Sequence, residues 1–384
     1  MNKKLLAVAV AGALAAPGMA FAQASTVTIS GNFKLGVESL NVSNASATRY
    51  NSSQIRVVDN SSRIIFNSVE DLGNGLSAIG QLDVRFAPDQ ASSAPTSNPI
   101  GNGNTFVGLR SKTWGTLAVG RFDLHYGNGP SENTRNAGAL VSSDVSLFDY
   151  IGGNPIATTS RTQNVVKYDS PNFNGLAATL AWSANPVGNS DADMTAPVAA
   201  GANTRKGDGW NIMPTYSNGP FSAVYSYWRA KPDAVVAATN DQRGDSLQGK
   251  YAIGGFQIGL GWNKSKLENS TTGIKYQQRT AWELAAHYKW GPNAVYGHYV
   301  RAGNVSSNTA GVATDQTSAR MLSLTYEYLL SKRTALGATY AKINNDANIN
   351  YNFFTTSSLG STDAGAVGNG ENPRIFQVTI NHKF

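Results

Sequence analysis

The side chains of this 384-residue sequence that could do chemistry are ionic rather than nucleophilic. Arg63 falls out of phase with Ile64 and Phe66, Asp83 and Arg85 fall out of phase with Leu82, Val84 and Phe86, and Lys34 falls out of phase with Phe33 and Leu35. Arg161 shares the parity of Lys167, against Val166 and Tyr168. Successive side chains of an extended segment point to opposite faces. These five charges therefore project from the polar faces of strands whose other faces are apolar. Fixed charges so placed steer, bind or exclude ions.

Bond-breaking chemistry has no comparable constellation. The histidines His125, His287, His298 and His382 are scattered, and His287 lacks a partner at metal-ligand spacing, so no zinc centre is expected. Gly101-Asn102-Gly103 carries the first two glycines of a dinucleotide fingerprint, but the third is missing and no helix follows, so it reads as a loop. Asp191 and Asp193 could help hold a divalent cation, although a solvated loop is the plainer reading. A Gly-x-Ser-x-Gly elbow is absent, and the basic residues are too dispersed for a nucleic-acid face. There is no cysteine, which excludes disulfides and thiol chemistry. No catalytic residue, metal or cofactor is expected.

Strands must position the charges. From Thr26 to Glu38 the odd positions read Val27, Ile29, Gly31, Phe33, Leu35, Val37 and the even ones Thr28, Ser30, Asn32, Lys34, Gly36, Glu38. The alternation returns at Trp282, Leu284, Ala286, Tyr288, Trp290 and at Phe376, Val378, Ile380, His382, Phe384. Alternation alone does not say whether the apolar face meets a core or lipid. Thirty-nine glycines, 10% aromatic and 14% charged residues suit short strands and tight turns. No stretch reaches the roughly 18 consecutive apolar residues of a transmembrane helix. Met1 to Ala22 reads as a secretory signal peptide: Lys3 and Lys4, an apolar run, then Ala20-Phe21-Ala22. Cleavage after Ala22 would leave residues 23–384 as a single barrel domain and lower the formal charge from +7 to +5 by removing two lysines.

The connections take turns between two lengths. Short ones fall at Leu72 to Gly75, Lys112 to Trp114, Asn172 to Gly175, Asn218-Gly219, Gly254-Gly255, Gly291 to Asn293 and Ser331 to Arg333. Long polar segments lie at 41–61, 88–103, 124–160, 186–207, 231–243, 267–279, 304–319 and 346–372. Seven turns and eight loops imply sixteen strands, the plan of an all-β, antiparallel transmembrane β-barrel with short periplasmic turns and long extracellular loops. A sixteen-stranded cylinder is too wide for side chains to fill, so a water-filled channel is expected. The 124–160 segment is the longest, and a connection of that length is usually functional. Aromatic pairs near strand ends, Tyr225 with Tyr227, Tyr288 with Trp290 and Tyr326 with Tyr328, suit interfacial girdles.

Along most of its length the chain resembles the general porins of Gram-negative bacteria, especially the betaproteobacterial type. The resemblance rests on Ser62 to Phe66 with Glu70 to Leu82, on Thr105 to Leu109 with Trp114 to Arg121, on Asn164 to Pro171, on Tyr328 to Thr334 and on the closing Ile380 to Phe384. It implies a homotrimer in the outer membrane among lipids and lipopolysaccharide, inserted by the barrel-assembly machinery reading Phe384. It also implies that the 124–160 loop folds into the pore as a constriction carrying Glu132, Asp144 and Asp149 opposite the wall. Arg63 matches the position where the family keeps a constriction arginine. Where related porins often place another wall arginine, Asn104 and Thr105 stand here. Wall bases Arg63, Arg161, Lys34 and Arg85 against the wall acid Asp83 point to passage of small hydrophilic solutes with slight anion preference. Alternatives are a substrate-specific channel, an outer-membrane barrel hydrolase, for which no Ser or Asp with a positioned His is found, and a soluble secreted β-protein.

Overall fold

The computed structural model describes residues 25–46, 52–89, 100–124, 126–130, 136–156, 161–186, 207–231, 240–270, 272–354 and 367–384. Its strands run in chain order as β1 (Ser25–Ser43), β2 (Ser53–Asp59), β3 (Arg63–Gly73), β4 (Leu76–Arg85), β5 (Thr105–Ser111), β6 (Gly115–Phe122), β7 (Tyr150–Ile151), β8 (Asn154–Pro155), β9 (Thr162–Asp169) and β10 (Leu176–Ser183). There follow β11 (Asp208–Asn218), β12 (Phe221–Lys231), β13 (Asn240–Ile253), β14 (Phe256–Asn269), β15 (Lys275–Trp290), β16 (Asn293–Ala302), β17 (Ala319–Leu329), β18 (Thr334–Asn345) and β19 (Asn372–Lys383). One four-residue helix, α1 (Val145–Phe148), and the β7–β8 ribbon lie inside the 123–161 connection.

Apart from β2 and β3, which follow one another along β1, each strand outside that connection pairs antiparallel with its chain neighbours, and β19 returns to β1 over twelve register pairs from Asn32↔Lys383 to Ser43↔Asn372. The sheet is therefore a closed ring. The strands β2 and β3 both pair with β1 and form one stave, so the ring has sixteen staves. Closure leaves no edge to pair with another chain. The seam is finished by Gly31 and Phe384, which exchange backbone hydrogen bonds of 3.2 Å in both directions. The Phe384 ring sits 5.7 Å from that of Phe33, which meets Phe86 at 5.6 Å, and a Cβ at residue 31 would lie 2.8 Å from the Phe384 ring. Glycine there admits the terminal aromatic.

Two of the long polar segments are shorter loops than their composition suggests. Ser53–Asp59 inside the 41–61 segment is strand β2, and the 267–279 segment holds the ends of β14 and β15, leaving only residues 270–274 between them. Strands that rise past the lipid have water or loops on both faces, so they lose apolar alternation while keeping backbone pairing. Between β2 and β3 the stave is interrupted at residues 60–62, where the Asp59 carboxylate accepts from Ser61 N at 2.8 Å and Ser62 N at 3.0 Å. Ser61 takes a positive φ of 74° in this break.

Burial runs inside out. Leu260, Leu284, Val295, Leu324, Val378 and Ile380 are exposed on the outer face, whereas Ser246, Asn263, Ser265, Thr339 and Gln377 are fully buried inside. On β15 the outer face reads Trp282, Leu284, Ala286, Tyr288, Trp290. Eight residue-to-residue steps of about 3.4 Å, tilted by about 40°, span roughly 20 Å of height, close to the apolar band of an outer-membrane barrel. Aromatic residues cap both ends of that band, as interfacial girdles do. No described helix is long and apolar enough to cross a membrane. An arginine at Leu284, near the middle of the band, should cost about 2–4 kcal/mol of folding free energy in lipid vesicles. The lumen-facing Gln257→Arg should cost under about 1 kcal/mol. Denaturant titrations giving equal costs would mean that the apolar face is not the lipid face.

Candidate functional site

The connection after β6 turns inward and docks against the far wall. Its tip is held by the Glu327 carboxylate, which accepts from Ala137 N at 2.6 Å and Gly138 N at 3.0 Å. Thr339 Oγ1 accepts from Ala139 N at 3.0 Å, Thr379 Oγ1 donates to Ala137 O, and Asn381 Nδ2 donates to Asn136 O at 2.7 Å. From the other flank of β1, Asn60 in the β2–β3 break accepts from Leu140 N at 2.8 Å. A Cβ at residue 337 would lie 2.1 Å from Ala137 O, so Gly337 provides the close approach. The backbone groups of an irregular segment inside a barrel need such partners, and inward-facing polar side chains supply them.

The stem of the loop is clamped by Arg279, 2% exposed, on the lumen face of β15. Its Nη2 donates to Leu147 O, to Phe148 O at 2.6 Å and to Tyr150 O at 2.8 Å, around the C-terminal end of α1. The same guanidinium donates to Asn263 Oδ1 and, at 3.2 Å, to Ser265 Oγ. A planar fork with five donors suits this convergence of carbonyls, and a cation complements the negative end of the turn. Tyr126 adds a second anchor, its hydroxyl bonded to Lys264 O at 3.1 Å and Ser265 Oγ at 2.8 Å. Burial pushes that hydroxyl above its ordinary pKa, so it stays a neutral donor.

The first group of wall charges stands on β1, β3 and β4, beside the staves that hold the tip. Asp83, 1% exposed, lies 3.3 Å from Arg85 Nη2 and 4.0 Å from Arg63 Nη1, and Ser61 Oγ accepts from both Arg63 at 3.0 Å and Arg85 at 3.2 Å. Two bases thus share one buried acid. Arg161 sits 3.6 Å from Asp123. Asn104 presents its side-chain oxygen to Asp123 N at 2.8 Å, fixing the segment from which Asp123 projects. Lys34 and Arg63 line a cavity of about 210 Å³ together with Lys383, bounded also by Asn136 and Gly138 to Leu140 of the loop tip. Among the described residues, the cavity lining contains no acid.

The loop acids are placed differently. Asp144 is fully buried, caps α1 by accepting from Val145 N at 3.0 Å, and accepts from Gly129 N at 2.6 Å. Its charge faces the loop's own backbone rather than open lumen. Asp149 follows α1 and is 6% exposed, and Glu132 lies outside the described residues, as do His125, Asp191 and Asp193. Lys383, Arg279 and Glu327 join the site although residue types alone did not single them out. Each shares the parity of polar neighbours on its strand, Asn381 for Lys383, Glu283 for Arg279 and Thr325 for Glu327.

A closed sixteen-stave barrel with an infolded third extracellular loop and an ionic wall agrees with what the comparisons find. The Gram-negative porin family model matches residues 7–348. The chain belongs to the Gram-negative porin family. Major outer membrane protein P.IB of Neisseria meningitidis serogroup B strain H44/76 is 29% identical over 348 residues, covering 87% of this chain and 91% of that protein. With P.IB of serogroup A the match is 34% over 192 residues and spans 50% of that protein. Among solved structures, the anion-selective porin from Comamonas acidovorans shares the fold at a TM-score of 0.69 and 21% identity, covering 94% of this chain and all of that one. The trimer form of OmpT from Vibrio cholerae does so at 0.62 and 14% identity, covering 94% of this chain and 100% of that one. As a porin the protein resides in the outer membrane and passes solutes through its lumen; it is not an enzyme.

The clamp has a direct test. Arg279→Ala removes about 3 kcal/mol of charge-assisted bonding from the loop stem. Single-channel conductance should rise and become noisier, while the barrel keeps its heat-modifiable migration. Arg279→Lys should recover only part of this, because an ammonium lacks the guanidinium fork. Wild-type traces from Arg279→Ala would remove the clamp.

Proposed function

We propose that this porin is a passive, weakly anion-selective diffusion channel for small hydrophilic solutes. The observation that carries the selectivity is the cavity between wall and loop tip, lined among the described residues by Lys34, Arg63 and Lys383 and by no acid. With Arg85 and Arg161 nearby, five of the described bases stand around Asp59, Asp83 and Asp123. A narrow, partly dehydrated passage raises the weight of each fixed charge, so an excess of bases concentrates anions there and repels cations. Solute enters from the long-loop side, passes Arg63 and Arg161 opposite the docked loop and leaves by the short-turn side. The anion-selective Comamonas porin, similar in fold, supports this reading.

The same proposal covers export and assembly. Residues 1–22 act as a signal peptide cleaved after Ala22, and Phe384, seated against Phe33 at the seam, acts as the signal read by the barrel-assembly machinery. The channel works as a homotrimer, supported by the trimer form of the OmpT fold neighbour, among outer-membrane lipids and lipopolysaccharide. No cofactor takes part.

Arg63→Glu combined with Arg161→Glu should move the reversal potential under a salt gradient from the chloride side to the cation side, with the barrel intact. Unchanged selectivity in folded double-variant channels would place both residues outside the constriction.

A further inference from the structure

A second basic group stands apart from the constriction, at the short-turn end of the lumen wall. Lys250 on β13 lies opposite Gly259 on β14, which lies opposite Ala285 on β15. One row nearer the short turns, Gln257 lies opposite His287 and His287 opposite Tyr296. In the row after that, Lys289 faces Ala294. The small residues Gly259, Ala285 and Ala294 leave the long side chains room to lean across the wall. The rings of His287 and Tyr296 meet edge to face with centroids 5.3 Å apart, and Lys289 Nζ sits 5.7 Å from the centroid of the same Tyr296 ring. Lys289 from its own strand and Lys250 from β13 both bear electrostatically on His287.

The stem of the infolded loop roofs this wall. A Cβ at residue 259 would lie 2.5 Å from Pro130 Cβ, and a recess of about 10 Å³ remains between Pro130, Gln257, His287, Tyr296 and Thr325. That is room for one water or for one oxygen of an oxyanion. On the lumen faces of β13 to β17 the described acids are Glu283 and Glu327, and both are engaged. Glu283 holds His298 Nδ1 at 2.9 Å, and Glu327, opposite Ala294, accepts from Ala137 N and Gly138 N. On the loop, Asp144 accepts from Gly129 N beside Pro130 and caps α1. Among the described residues the lining of the recess holds no acid.

We infer that His287, Lys250 and Lys289 form a second anion site, at the periplasmic mouth, which takes a doubly charged oxyanion and binds it more tightly when His287 carries its proton. Two ammonium groups alone disfavour a charge on the imidazole near them, whereas an oxyanion held by all three favours it. Binding therefore takes up a proton, so it strengthens as the pH falls through the histidine range and weakens as the pH rises. A divalent ion is preferred over chloride because each base attracts it twice as strongly. The site lies beyond the constriction on the path proposed above and rests on that path being open to anions.

The test uses full-length protein in planar bilayers with sulfate as the probe, because its charge is the same at about pH 5.5 and about pH 8, on either side of the histidine range. Sulfate on the short-turn side should block chloride current about threefold more strongly at the lower pH. His287→Gln should make block at the two pH values equal, with His287→Asn standing in should that variant fold poorly. Lys250→Gln combined with Lys289→Gln should weaken block at both. In protein carrying nitrogen-15 histidine, sulfate should shift the imidazole signal that disappears in His287→Gln. A pH dependence that survives loss of the imidazole overturns the site, as does an imidazole signal that sulfate leaves in place. Full block in the double lysine variant overturns it too, since sulfate would then bind at the constriction alone. Cation preference of the wild type in potassium chloride counts instead against the anion-selective reading, and the imidazole shift still judges the site.

Discussion

Everything in this protein depends on the requirement that no backbone amide or carbonyl meet lipid unpaired. An unsatisfied group in hydrocarbon costs several kcal/mol, so strands can cross only as a ring whose last member pairs with its first. The seam between β1 and β19 meets that requirement with twelve register pairs and ends in the reciprocal Gly31–Phe384 bonds. The chain's terminal aromatic thereby becomes part of the wall.

Closure at sixteen staves leaves a lumen that side chains cannot fill, and that vacancy is what makes the infolded loop possible. Inside, a carboxylate such as Glu327 can face two backbone amides, and a guanidinium such as Arg279 can gather three carbonyls. Neither group could face hydrocarbon. The loop is held at its tip by β17–β19 and at its stem by β15, and the bases around Arg63 stand on the neighbouring staves, beside the docked tip. The break in the β2–β3 stave serves both sides, with Asn60 bonding the loop and Ser61 bonding Arg63 and Arg85.

Parity gives the same residue type opposite uses. Arg63 and Arg161 face water inside, whereas Arg301 and Arg320 face outward above the aromatic rim. Asp83 is pinned between two bases and Asp144 caps a turn, so two of the acids around the constriction act locally as structural partners.

The sequence by itself determined the strand faces, the barrel class, the turn positions and the direction of Lys34, Arg63, Asp83 and Arg85, because alternation and turn chemistry are local properties of the chain. It concealed β2 and the upper ends of β14 and β15, where strands leave the lipid and no longer need an apolar face. Only the tertiary structure decided that Arg279, within a polar stretch that reads as loop, clamps carbonyls 131 and 132 positions away. It likewise turned Asp144 toward its own loop and brought Lys383 beside Lys34. Those contacts join staves and a loop far apart in the chain, and which of them meet is fixed by the register of a closed ring, which no local pattern encodes.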